Sequence, residues 1–142
     1  MGQIIKVIDV LERKVTISEA KQMVISHKGE LFTFFDEGNT RHVFTNKDRT
    51  KVIKILQRDC GIDYNQEEID IYQSALESEK EQMAQTSFVN GIIEQEFVTP
   101  IKFGGKRLSI KEKLFASKCR NEVGWNNEGN LVCFDLDEYL KY

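Results

Sequence analysis

Residues 41–56 read RHVFTNKDRTKVIKIL. Two short runs of alternating apolar and polar residues, RHVFT and TKVIKIL, flank the polar group NKDR. This is the pattern of two strands joined by a tight turn. Side chains two apart on a strand share a face, so Val52 and Lys54 point one way and Ile53 and Ile55 the other. Lys54 therefore stands alone between isoleucines. Its ammonium needs either open water or a negative partner brought to it by the fold.

Outward from this hairpin, LFTFF (31–35) is aromatic and β-prone, and DEGNT (36–40) is a turn cluster. The three runs make an antiparallel meander. We expect Phe32, Phe34 and Phe35 in the core. Downstream, the pattern beginning at GIDYNQEEID predicts a helix over about residues 66–85. Its apolar stripe is Ile69, Tyr72, Leu76 and Met83, with Asn65 as N-cap and Glu68 as capping-box partner. GIIEQEFVTPI reads as a strand stopped by Pro100, the only proline. A shorter helix follows, capped by Ser109 with Glu112, and its Leu108, Leu114 and Phe115 are expected inward. VGW, the turn NNEGN and LVCFDLDEYLKY predict a final hairpin and tail. Upstream, residues 3–11 fit a helix or a strand. Ser18 is a candidate cap for a short helix ending near Gly29, with Ala20, Met23 and Val24 inward.

The chain has 142 residues, 40% of them hydrophobic, which is enough for one domain with a core of its own. We expect a single domain over 1–142. Residues 1–30 are an N-terminal extension, 31–103 a sheet and helix, and 104–142 a short helix and hairpin. A net charge of −3, with both signs interspersed, does not favour nucleic acid. Cys60, Cys119 and Cys133 form no CxxC pair, which fits free thiols in a reducing compartment. No apolar run reaches the ~20 residues that span a bilayer. We expect a cytoplasmic protein. His27 and His42 have no partner at zinc-ligand spacing, and no Walker loop or dinucleotide fingerprint occurs.

Taken in order, four short pieces of the chain resemble the protein kinase-like superfamily, in its small, atypical or degenerate members. FDEGNTRHVF sits where that family has a glycine-rich loop, with Gly38 as its one glycine and Arg41 leading into the strand. KVIKI resembles the family's VAIK, which implies Val52 against an adenine ring and Lys54 on the phosphates. NQEE at the helix start resembles the segment whose glutamate pairs with that lysine, which points to Glu68, with Glu67 as the fallback. VGWNNEGNLVCFDLDEY resembles the stretch ending in a metal-binding aspartate. It implies Asp135, with Asp137 two residues on, as ligands of Mg²⁺.

The departures are equally specific. Aligned on Gly124, Ser117 stands where the family has its catalytic aspartate and Glu122 where it has its asparagine; Asn121 is one residue off. No aspartate lies between Asp70 and Asp135, and only seven residues follow Asp135, without an APE motif. The resemblance thus implies no catalytic residue of the usual kind. It admits ATP and Mg²⁺ without requiring them. The expected fold is α+β: an antiparallel sheet of about five strands with one long packed helix, like a kinase N-terminal lobe, plus a short helix and C-terminal hairpin. The expected function is a degenerate kinase-like domain that binds nucleotide weakly or keeps only the scaffold. The alternative is a small intracellular protein-interaction or regulatory domain, of the kind phages and mobile elements encode, acting on an unknown protein partner. An active enzyme using Asp137 or Glu122 as base ranks last.

Overall fold

A computed structural model of the chain describes residues 4–6, 15–37, 41–56, 63–103 and 107–136. Seven strands make the main sheet: β1 (Ile4–Lys6), β2 (Val24–His27), β3 (Glu30–Glu37), β4 (Arg41–Asn46), β5 (Lys51–Leu56), β6 (Thr86–Val89) and β7 (Ile92–Glu96). Their spatial order is β1-β2-β3-β4-β5-β7-β6. The β1–β2 pair is parallel and the others are antiparallel. A second sheet holds β8 (Val98–Pro100), β9 (Val123–Asn126) and β10 (Leu131–Cys133), with β9 central. Four helices, α1 (Ile17–Ala20), α2 (Tyr64–Ser74), α3 (Glu77–Lys80) and α4 (Ile110–Lys118), complete the described elements with one 3₁₀ turn, Ile101–Phe103.

The meander over residues 31–56 forms as its alternation predicts. Turn chemistry sets its register. Asn46 Oδ1 accepts from the backbone N–H groups of Thr50 (3.0 Å) and Lys51 (3.2 Å), which closes the β4–β5 loop. Val43 then lies opposite Lys54, and Thr45 opposite Val52. The β2–β3 and β6–β7 connections are two-residue hairpins, Lys28-Gly29 and Asn90-Gly91, with all four residues at positive φ. That conformation matches the strand twist and suits Asn-Gly in particular.

Each face of the main sheet has its own cover. On one face Ile25, Phe32, Phe44, Ile53, Ile55 and Ile92 pack with Val15, Ala20 and Met23 from the chain before β2. On the other, α2 lies across β5, β6 and β7. A second core joins α2 and α4 to the small sheet through Met83, Ala116, Val123 and Leu136, with Ile71 and Tyr72 against them. Phe32 is fully buried, while Phe34 and Phe35 are half-buried.

Several expectations are corrected. The fold is not a five-stranded sheet with one long helix, because ten strands are described and the longest helix has 11 residues. The apolar spacing of Ala20, Met23 and Val24 suits a helix, yet only Ile17–Ala20 is helical, capped by Thr16 rather than Ser18. Val24–His27 pairs instead with β3, because the left-handed Lys28-Gly29 turn returns the chain as a hairpin. From residues 15–27, Val15, Ala20, Met23 and Ile25 enter the main core. The helix expected over 66–85 ends at Ser74, where Ala75 turns extended (ψ 149°) and the Glu79 carboxylate caps the N–H of Leu76. Thr86–Val89, just beyond the expected helix, pairs with β7 as the edge strand of the main sheet through the Asn90-Gly91 turn. Leu76 and Leu114 are exposed, not inward. The Ser109–Glu112 capping box and the final hairpin form as expected.

Gly124 is where the small sheet closes. A Cβ there would lie 2.1 Å from the backbone oxygen of Thr99 and 2.7 Å from Val98 Cγ1. Gly124→Ala should lower stability by about 1–3 kcal/mol in urea denaturation, as overpacked positions do.

Candidate functional site

Arg41, Val43, Val52 and Lys54 share the face of the β4–β5 hairpin that meets α2. The first turn of α2 presents Asn65 and Glu68 to that face, both fully buried, while Glu67 is exposed. Asp63 caps the helix, accepting from Gln66 N–H at 3.0 Å. This frees Asn65 and Glu68 from the capping box expected of them.

Lys54 Nζ donates to both Glu68 oxygens, at 3.0 and 3.1 Å, and to the carbonyl of Phe134. These three acceptors use all three protons of the ammonium. Glu68 also accepts from Arg41 Nη1 and, at 2.7 Å, from the backbone N–H of Leu136. Arg41 Nη2 donates to Asp135 Oδ1. Asn65 Nδ2 bonds the carbonyls of Lys54 (2.9 Å) and Gly91 (3.1 Å), tying the start of α2 to β5 and to the β6–β7 turn. Two cations and two carboxylates thus sit together with no net charge. Arg41 and Lys54 are each 4% exposed and Glu68 0%.

Lys54 therefore lies across from two acids remote along the chain, and Glu68, not Glu67, is its partner. Asp135 reaches the same cluster, but through the Arg41 guanidinium. Val52 is buried on the shared face. Gly38, the expected loop glycine, and Asp137, the second expected metal ligand, lie outside the described residues. Among the described residues, no group of three or more His, Cys, Asp or Glu side chains could hold a metal ion. Asp135 faces a guanidinium, so its carboxylate already has a cation. Asn65 as a bridge was missed from sequence. The available signal was its spacing, three residues before Glu68, which places both on one helix face.

A second charged cluster lies at the turn end of the β2–β3 hairpin. Glu94 on β7 meets Lys28 Nζ at 2.8 Å and His27 Nε2 at 3.3 Å. Lys51 reaches Glu30 at 3.4 Å. Burial alone would raise the Glu94 carboxyl, but hydrogen bonds from Lys28 and His27 outweigh it and hold the group below its ordinary value of 4.5. Two cavities lie elsewhere. One, of about 440 Å³, is walled by Lys51, Tyr72, Thr86 and Gln95; the other, of about 180 Å³, by Gln82, Phe115 and Leu131. Neither is lined by Arg41, Lys54, Glu68 or Asp135. Among the described residues, no helix is long and apolar enough to cross a membrane. Compared with known proteins, the chain matches no family model, no curated sequence and no solved structure.

Glu68→Gln leaves two buried cations short of an anion. Breaking a buried pair from one side costs about 3–5 kcal/mol, so urea denaturation of this variant should show a loss of that size. Glu67→Gln, on the exposed side of the same turn, should change stability by no more than ~0.5 kcal/mol.

The depressed Glu94 carboxyl stabilises the fold fully above its unfolded value of about 4.5. That contribution disappears as pH falls through the lower folded value. Glu94→Gln should therefore flatten the part of a stability-against-pH curve below about pH 4.5.

Proposed function

We propose that the chain is a non-catalytic, kinase-like domain in which the lysine–glutamate–aspartate constellation serves as a structural clasp, and that it acts by binding a protein partner. The observation that carries this reading is the Arg41 guanidinium. It sits between Glu68 and Asp135 and holds both carboxylates, the two acids that the kinase resemblance would assign to the lysine and to a metal. A triphosphate needs cations with free donors. Here the three protons of Lys54 have acceptors, and Arg41 is held by two carboxylates. The missing base aspartate between Asp70 and Asp135 supports the same conclusion.

Binding is the role this leaves. Ile110 and Leu114, one turn apart on α4, are 79% and 64% exposed. These two side chains are the surface of α4 that a protein partner would cover.

A ligand stabilises only a state that holds it. The full chain should show no change in melting temperature with millimolar ATP and Mg²⁺, and should release no ADP. A saturable rise in melting temperature with nucleotide would overturn the clasp reading in favour of a working nucleotide site.

A further inference from the structure

Six large apolar side chains stand exposed among the described residues, and three of them belong to α3, its N-cap and α4: Leu76, Ile110 and Leu114. The two helices flank one cavity of about 180 Å³. Gln82, just beyond α3, walls one side of it; Lys111, Glu112 and Phe115 of α4 wall another, with Leu131 of β10 beside them. The end of α3 is fixed there. The Gln82 carbonyl accepts from Cys133 N–H at 2.9 Å, and Met83 packs in one core with Ala116 of α4.

The outer sides of the two helices carry opposite charge. On α4, Lys111 and Lys118 are two turns apart along one flank of the Ile110–Leu114 ridge, and Lys113 lies on the other. All three lysines are exposed, and none has an ion-pair partner among the described residues. Glu112, the one acid of α4, is turned to the N–H of Ser109 at 2.8 Å. On α3, Leu76 is 68% exposed at the N-cap, and Glu77 and Glu81 follow one turn apart on one side. Lys80 lies 3.7 Å from Glu77 and over the Tyr72 ring, and leaves the Glu77 side chain 93% exposed.

We propose that this face is where two copies of the chain meet, α3 of each seated on α4 of the other, an assignment that rests on the reading of the Ile110–Leu114 ridge as a protein-binding surface and names its partner.

A twofold axis makes residue i meet residue j and j meet i. Both patches border one cavity, so a single rotation about an axis beside it forms the two contacts at once. Leu76 then covers the ridge, and Glu77 and Glu81 meet Lys111 and Lys118. Pairing like with like fails, since α4 against α4 sets lysine on lysine and α3 against α3 sets glutamate on glutamate. An anionic lipid surface would attract α4 but repel the acidic α3 beside it. Few apolar side chains take part, so the dimer should be a micromolar one in fast exchange.

The test is sedimentation velocity of the full chain from low to high micromolar concentration. A concentration-dependent step from monomer to dimer is expected, weakened by molar salt. Lys111→Glu with Lys118→Glu makes both patches acidic; Glu77→Lys with Glu81→Lys makes both basic. All four positions are exposed, so both double variants should fold, which circular dichroism reads. Each alone should be a monomer. Their equimolar mixture should give a heterodimer, because both contacts return with signs reversed. Leu114→Ser, which changes no charge, should weaken the dimer by about tenfold. A monomer at every concentration, a dimer that persists in either double variant, no heterodimer on mixing, growth beyond the dimer, or sedimentation with phosphatidylserine vesicles would each overturn the proposal. A monomer would leave the non-catalytic reading standing, since that reading falls to a rise in melting temperature with ATP.

Discussion

The carboxylate of Glu68 is the group on which the rest of the molecule depends. It has no exposed surface, and it accepts from a lysine on β5, an arginine on β4 and a backbone amide beyond β10. Taking such a charge from water costs several kcal/mol. The cost is offset only because every donor arrives together, from segments far apart in the chain. The clasp therefore acts less as a source of net stability than as a condition on the fold. The helix, the central hairpin and the closing segment must all be in place at once. An alternative packing that misplaced any one of them would bury an uncompensated charge.

The same geometry decides the chemistry. A lysine that binds phosphate must keep protons available, and one that only positions a helix need not. In this chain the ammonium is coordinatively full, and Arg41 brings a second permanent positive charge to the two carboxylates. Arginine holds its charge at any working pH and matches two acids through its planar fork. It is the side chain best suited to bridge Glu68 and Asp135 without depending on a metal. On the proposed reading, an arrangement that would make a nucleotide site in an open cleft serves here as a cross-link.

One strand end leads straight into the clasp. Cys133 closes β10 and bonds the carbonyl of Asp135, and the three residues after it, Phe134, Asp135 and Leu136, meet the clasp. Glu94 with Lys28 and His27 lies on the other face of the sheet, so it responds to acid independently of the clasp.

Much of the central architecture was legible in the sequence by itself. Alternation over residues 31–56 specified three antiparallel strands and put Lys54 and Ile53 on opposite faces, because a period of two is local chemistry. The Ser109–Glu112 cap and the final hairpin were readable for the same reason. The lysine's isolation among isoleucines left open water or an acid from elsewhere, and the order of the motifs pointed to Glu68 as that acid, with Glu67 as the fallback. Tertiary structure alone decided where the helical patterns stopped. Residues 24–27 and 86–89 became strands since each could pair with a neighbour, through turns at Lys28-Gly29 and Asn90-Gly91. It also placed Arg41 between the two carboxylates. Contacts between residues this far apart are set by how faces pack, and no spacing along a chain encodes them.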